Sequence, residues 1–457
     1  MAVAEGDFGG TAALRGGLVS FGGDPFLVAP GQALRFEPDA LVWCENGRIK
    51  ALGAWSALAP GLPPDVPVHD YTGHVLCAGF VDAHVHAVQM DVIGTCGADL
   101  LTWLEHTTYP AELAFADPAH ASRVAARFVA ELVRNGTTTA AVFGSVHPQS
   151  VEAVFAEAAR VNLRVVAGKV WMDRNAPAAL LDTPQSAYDD SKRLIARWHG
   201  RGRAAYAITP RFAPTSSDEQ LRAAGALWKQ HPDLHVQTHL AESPREVAWV
   251  KELFPGRAHY VDVYDHYGLV GPRAVFAHGI HLGEPELARL SAAGAGLAHC
   301  PTSNLFLGSG AFDLFAARRA DRPVAVGLGT DIGAGTSLSS LVTLGEAHKV
   351  ARMHGRTLDA ARALWLATLG GAAALGLADR VGNVAPGLEA DLVVLDPRAT
   401  PLLAARTGQA GSIEEILFLL MTLGDDRVVR ATYAAGTRVH ERPAGPGAAP
   451  VPGSAPA

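Results

Sequence analysis

The 457-residue chain has few cysteines, no basic clusters and no long apolar run, and each shortage removes a class of explanation. Its four cysteines, Cys44, Cys77, Cys96 and Cys300, show no C-x-x-C spacing. A disulfide framework is therefore not what stabilises a chain of this length, and scattered buried thiols are expected instead. Charged residues are 18% of the sequence, and 45 acidic against 38 basic side chains give a formal charge of -7. That balance argues against a nucleic-acid partner or an anionic membrane surface, both of which select basic patches. No stretch approaches the roughly 18 uncharged apolar residues of a membrane span. Ile416–Leu423 is strongly apolar but short and bracketed by acidic residues, so a core helix is expected there. The first thirty residues lack the basic start and apolar stretch of a secretory signal, which makes the cytoplasm the expected location.

Apolar residues reach 49%, ample for an extensive core, and the length suits a large barrel with a smaller satellite domain. Short apolar segments alternate with Ala- and Leu-rich stretches of helical periodicity. Strands are expected near Leu76–His84, Thr137–Gly144, Arg164–Met172, Ala204–Arg211, Leu234–His239, Ala274–His278, Gly296–His299 and Val324–Asp331. Helices are expected between them, as over Ala119–Asn135, Val151–Asn162 and Gln220–Gln230. Eight such units over about 300 residues match an α/β protein of the (β/α)8 TIM-like barrel type. A doubly wound sheet is the alternative, but regular spacing favours closure. The flanks differ. Asn46-Gly47 between apolar stretches signals a hairpin, and Ala390–Leu395 and Arg430–Ala434 read as further strands. The expected division is residues 1–75 and 385–442 forming one small β-sandwich, the barrel over 76–384 inserted between them, and an Ala/Pro/Gly-rich disordered tail over 443–457.

His84, Arg211, His239, His278, His299 and Asp331 fall at the ends of predicted strands, on the barrel face that carries active sites. One His there would be unremarkable; six polar groups at equivalent places are not. In His84-Val85-His86 the period of two turns both imidazoles to one side. That pattern alone is weak, since two such rings can simply hydrogen-bond. Joined by His239, His278 and Asp331, it offers nitrogen and carboxylate donors of the kind that suit Zn²⁺.

These segments resemble a known family. Ala78-Gly79-Phe80-Val81-Asp82-Ala83-His84-Val85-His86 is similar to the opening barrel strand of the amidohydrolase superfamily. Thr238-His239-Leu240-Ala241-Glu242, Ala277-His278-Gly279 and Gly329-Thr330-Asp331 resemble the later segments of its deaminase branch. Strand four ends Thr209-Pro210-Arg211, without the lysine that bridges two metals in binuclear members, so one metal per subunit is implied. Lys169, on strand three, reads as structural. Leu100-Leu101-Thr102-Trp103-Leu104-Glu105, followed by Thr108-Tyr109-Pro110-Ala111-Glu112, resembles a segment typical of the guanine deaminases, as do Gly168–Asp173 and His299–Asn304.

The resemblance implies zinc on His84, His86, His239 and Asp331, with Glu242, Asp331 and His278 as catalytic residues. Asp331 would take a proton from water, Glu242 would protonate the ring nitrogen, and His278 would stabilise the attacking oxygen. It also puts Gln89, Arg211 and Phe212 on purine-binding positions, with Glu242 and His278 beside them. Gln offers donor and acceptor, Arg a rigid donor fork, and Phe a stacking face. The plainer alternatives are an ion pair for Arg211 and barrel-top packing for Phe212. Guanine as substrate, no nucleic-acid or membrane partner, and a homodimer complete the implication. Two competing functions stay open: a related hydrolase acting on another purine, a pterin or a triazine, and a non-catalytic protein that has kept the barrel.

Overall fold

The computed structural model describes residues 9–28, 31–97 and 99–443. The tail expected over 443–457 lies, apart from Pro443, outside the described residues. In chain order the first strands are β1 (Ala12–Phe21), β2 (Leu34–Glu45), β3 (Arg48–Ala54) and β4 (Val68–Ala78). The barrel strands follow as β5 (Phe80–His86), β6 (Thr137–Phe143), β7 (Arg164–Gly168), β8 (Val170–Trp171), β9 (Ala204–Pro210), β10 (His235–Leu240), β11 (Ala274–His278), β12 (Gly296–His299) and β13 (Ala325–Leu328). The chain ends with β14 (Leu392–Leu395), β15 (Val429–Ala434) and β16 (Thr437–Glu441).

Eight parallel strands run in the order β13-β12-β11-β10-β9-β7-β6-β5, and β8 pairs beside β9. The seam between β13 and β5 is bridged by backbone bonds from Asp331 N to His84 O (2.9 Å) and from His86 N to Ile332 O (3.2 Å). Helices cover the outside with their apolar faces inward. The helix Pro118–Arg134 starts on the Asp117 side chain, which accepts from Ala119 N and His120 N, and buries Val124, Phe128 and Leu132 on one stripe. Gly168 lets β7 approach β9, since a Cβ there would stand 1.8 Å from Ala207 O.

Both flanks meet in one seven-stranded mixed sheet, ordered β16-β15-β14-β4-β1-β2-β3. The two-residue turn Asn46-Gly47, with φ of 50° and 76°, joins β2 to β3. This is the left-handed conformation that a tight hairpin requires. Alternation along β4 sends Leu76 and Ala78 into the sheet's own core and Val75 and Cys77 toward the barrel core. The strand expected over Leu76–His84 is therefore two strands in different sheets, parted at Gly79. The segment expected over Arg164–Met172 also divides, into β7 and β8. Under the barrel, Arg203 binds Glu389 (2.8 Å) and Asp391, and Arg164 also binds Glu389, tying strand starts to the C-terminal flank. The apolar run falls in the helix Ile413–Leu423, and among the described residues no helix is long and apolar enough to cross a membrane. All four cysteines are free.

Candidate metal centre and adjoining cavity

β5 delivers His84 and His86 to one side, both buried. The Nε2 atom of His86 lies 3.2 Å from that of His84 and 3.1 Å from that of His239. Asp331 Oδ1 stands 3.1 Å from His84 Nε2 and 3.3 Å from His86 Nε2. A tetrahedron of ligands about 2.0–2.1 Å from a zinc ion has edges of about 3.3–3.4 Å, so the spacing of this donor set fits one ion. The protonation states fit too. His239 Nδ1 is 2.6 Å from the Arg211 carbonyl, which can only accept, so the proton sits on Nδ1 and the lone pair on Nε2. Burial pushes His86 down to about 3 and His239 well below its ordinary value, keeping both rings neutral. By distance alone His278 also belongs, since donor atoms of His84, His239, His278 and Asp331 lie within 4.8 Å of one another. Its Nε2 is turned to Glu242 Oε2 (3.3 Å) and is 3.7 Å from Asp331 Oδ2, while His86 makes the shorter contacts, so His86 is the better fourth donor.

The backbone at this face is contorted. His278 and Asp331 have φ of 72° and 48°, and Ala241, just before Glu242, has 49°. Such residues cost on the order of 1–3 kcal/mol each and persist where surrounding contacts over-determine them. Here those contacts are visible. Glu246 Oε2 accepts from the backbone N–H of Glu242 (2.8 Å) and Ser243 (3.2 Å), and Asn304 Oδ1 sits 2.8 Å from His278 Nδ1. Ser309 Oγ donates to Glu242 Oε1 at 3.0 Å. Burial, reinforced by the charge of Asp331, pushes the Glu242 carboxyl up to about 8.

Next to the donor cluster is a partly enclosed cavity lined by Gln89, Trp103, Arg211, Phe212, Glu242 and His278 among others. The structure thus brings together His84, His86, His239, Asp331, Glu242, His278, Gln89, Arg211 and Phe212. His299 does not join them; it is fully buried against Phe312, with ring centroids 5.0 Å apart. Lys169 is structural, 2.5 Å from Asp182. Arg211 proves to be both cavity wall and ion-pair partner, with Nη1 2.8 and 2.9 Å from the two oxygens of Glu112. Sequence reading gave no role to Glu112, Ser309 or Asn304. Glu112 had a signal in the segment around Tyr109-Pro110; Ser309, 67 residues from its partner, had none.

The amidohydrolase family model matches residues 75–439. The chain belongs to the amidohydrolase family. Guanine deaminase from Escherichia coli is 51% identical to this amidohydrolase over 410 residues, 90% of this chain and 93% of that one. Its solved structure superposes with a TM-score of 0.92 over 94% of this chain and 100% of that chain, at 49% identity. Guanine deaminase from C. acetobutylicum, solved with guanine in its active site, gives a TM-score of 0.83 at 27% identity, covering 94% and 100% of the two chains. An adenosine deaminase from Xanthomonas campestris with bound zinc gives 0.81 at 25%, covering 93% and 92%. The donor set of this amidohydrolase is one that could hold a metal.

Proposed function

We propose that this amidohydrolase removes the 2-amino group of guanine by hydrolysis, giving xanthine and ammonia. One observation carries the reading: one cavity joins a three-His, one-Asp donor cluster, a buried acid and a wall of Gln89, Arg211 and Phe212 whose groups suit a purine's polar edge and ring face. The identity with the E. coli guanine deaminase, over nearly the whole length of both chains, supports the substrate.

His84, His86, His239 and Asp331 hold one Zn²⁺ per subunit in this proposal. The ion's Lewis acidity would make water nucleophilic near pH 7. Asp331 turns Oδ1 to the donor cluster and keeps Oδ2 toward His278, where it could accept the proton of the attacking water. Glu242 carries a proton at neutral pH and gives it to the ring nitrogen beside C2, offsetting the charge that attack builds there. The resulting carboxylate is met by the Ser309 hydroxyl and His278. His278 then hydrogen-bonds the new oxygen, the Glu242 carboxylate takes the remaining proton of that hydroxyl as it becomes the carbonyl and passes it to the departing amine, and the proton held by Asp331 resets Glu242. Arg211 and Gln89 orient the base by its polar edge, and Phe212 offers its face to the ring. A homodimer in the cytoplasm completes the proposal, to be tested by sedimentation and cell fractionation.

The deciding experiment is metal analysis with an ultraviolet assay of the purified protein on guanine, 8-oxoguanine, adenine and cytosine. Guanine converted to xanthine with one zinc per chain is expected. Turnover confined to another base would overturn the substrate.

A further inference from the structure

Behind the cavity wall lies a carboxylate that does not itself line the cavity. Glu112 is fully buried on the short helix Tyr109–Leu113, and it faces two polar residues that do. Both its oxygens accept from Arg211 Nη1, at 2.8 and 2.9 Å, and Oε1 is 3.4 Å from Gln89 Nε2. The same helix sets the Tyr109 ring against the guanidinium, 5.3 Å from its centroid. Arg211 is thus gripped at one nitrogen, and among the described residues no hydrogen bond engages its Nη2.

Chemistry fixes the Gln89 amide. The backbone N–H of Gly333 can only donate, and it meets Gln89 Oε1 at 3.0 Å. The carboxylate of Glu112 can only accept, and it faces the other end of the amide. The oxygen is committed to Gly333, so what Gln89 has left for the cavity is N–H. Arg211 has only N–H to offer. The Arg211–Gln89 wall therefore presents chiefly donors.

A 6-oxo purine shows two acceptors, O6 and N7, along the edge where a 6-amino purine shows an acceptor and an N–H donor. Donor facing donor leaves two polar groups unpaired in a dry site, a strong basis for rejection. Resting on the guanine reading above, we propose that Glu112 is a positioning residue that sets the donor polarity of the Arg211–Gln89 wall and thereby selects 6-oxo over 6-amino purines. It acts through two neighbours, without touching the base. Neutralising it removes one of the two partners that hold the Gln89 amide, leaving only the Gly333 N–H to oppose a turn, and loosens the guanidinium fork, so that an acceptor can face the ligand part of the time.

Hypoxanthine and adenine separate this idea from catalysis. They differ at position 6, and neither carries the 2-amino group that reacts. Titration calorimetry on zinc-loaded wild type should show hypoxanthine bound at least about 100-fold more tightly than adenine. In Glu112→Gln that ratio should fall at least about tenfold, while KM for guanine rises more than kcat falls. Glu112→Asp, which keeps the charge, should recover part of the ratio. Equal binding of the two bases by wild type overturns the proposal, and needs no variant to fold. So does a Glu112→Gln protein in which both affinities fall together and the ratio holds. A wild type that shows the ratio, and loses it in Glu112→Gln, but converts no guanine supports this role for Glu112 and overturns the assigned reaction instead.

Discussion

Replacing Glu242 by Gln removes the transferable proton and almost nothing else. The amide has nearly the volume of the carboxyl, so the buried site gains no void, and its oxygen can still accept from Ser309 Oγ, now 3.0 Å away. His84, His86, His239 and Asp331 are untouched. Positioned acid–base groups contribute about 10²–10⁴ in rate, or about 2.7–5.4 kcal/mol of barrier. We expect about 10³, because His278 Nε2 lies 3.3 Å from Glu242 Oε2 and can carry part of the proton traffic. The measurements are kcat for guanine by ultraviolet absorbance, metal per chain by atomic spectroscopy, and hypoxanthine affinity by calorimetry. Metal content should be unchanged and affinity within about threefold while kcat collapses. Turnover within about tenfold of wild type would refute the acid role, as would loss of metal in step with activity.

Three further outcomes follow from the same geometry. Removing metal with a chelator should lower the thermal midpoint, and zinc at 100 times its dissociation constant should restore about 2.7 kcal/mol; a midpoint indifferent to both would contradict a metal on this donor set. Arg203→Met takes the ion-pair partner from Asp391 in the barrel floor and leaves Glu389 with Arg164 alone, and denaturant unfolding should report a loss of about 3–5 kcal/mol. Burial works against the Glu389 charge, but Arg203 and Arg164 outweigh it and hold the carboxyl below its ordinary value. The stability this supplies is present above the unfolded carboxyl's pKa and lost as pH falls through the folded one, so wild type should lose it on acidification and the variant should show a weaker acid dependence between those two values. Gly168→Ala drives a Cβ to 1.8 Å from Ala207 O, and a cost of about 3 kcal/mol is expected from β7 being pushed off β9; unchanged stability would show that the strands can part freely.

Elements that announce themselves by local pattern were legible in the sequence. The barrel strands are short apolar runs ending in polar residues, and the period of two in His84-Val85-His86 is enough to aim two rings at one point. Asn46-Gly47 declared its hairpin by backbone chemistry alone. β1 stayed hidden, because Gly16-Gly17 interrupts its apolar pattern and nothing local shows that it pairs with both β2 and β4. β4 was partly merged with β5, since both are apolar and the chain changes sheets at a single glycine. His299 misled in the opposite direction: it ends a strand like the ligands do, but packs on Phe312 beside the site rather than in it.

What supports the site was harder to read than the site itself, for a physical reason. A ligand or an acid needs a particular side chain at a strand end, and a strand end is locally predictable. A supporting residue needs only to arrive from somewhere with the right atom. Glu112 reaches Arg211 across 99 residues and Ser309 reaches Glu242 across 67, so the pairing exists only once the barrel has closed. Closure is itself bound to the chemistry, because the backbone bond from Asp331 N to His84 O joins the last strand to the first through two of the proposed ligands. An ion on those side chains would therefore also fasten the seam. Losing it should loosen β5 and the Asp331 turn in amide exchange before the Arg164–Arg203 floor responds, and uniform loosening of both ends would show that the seam does not depend on the metal.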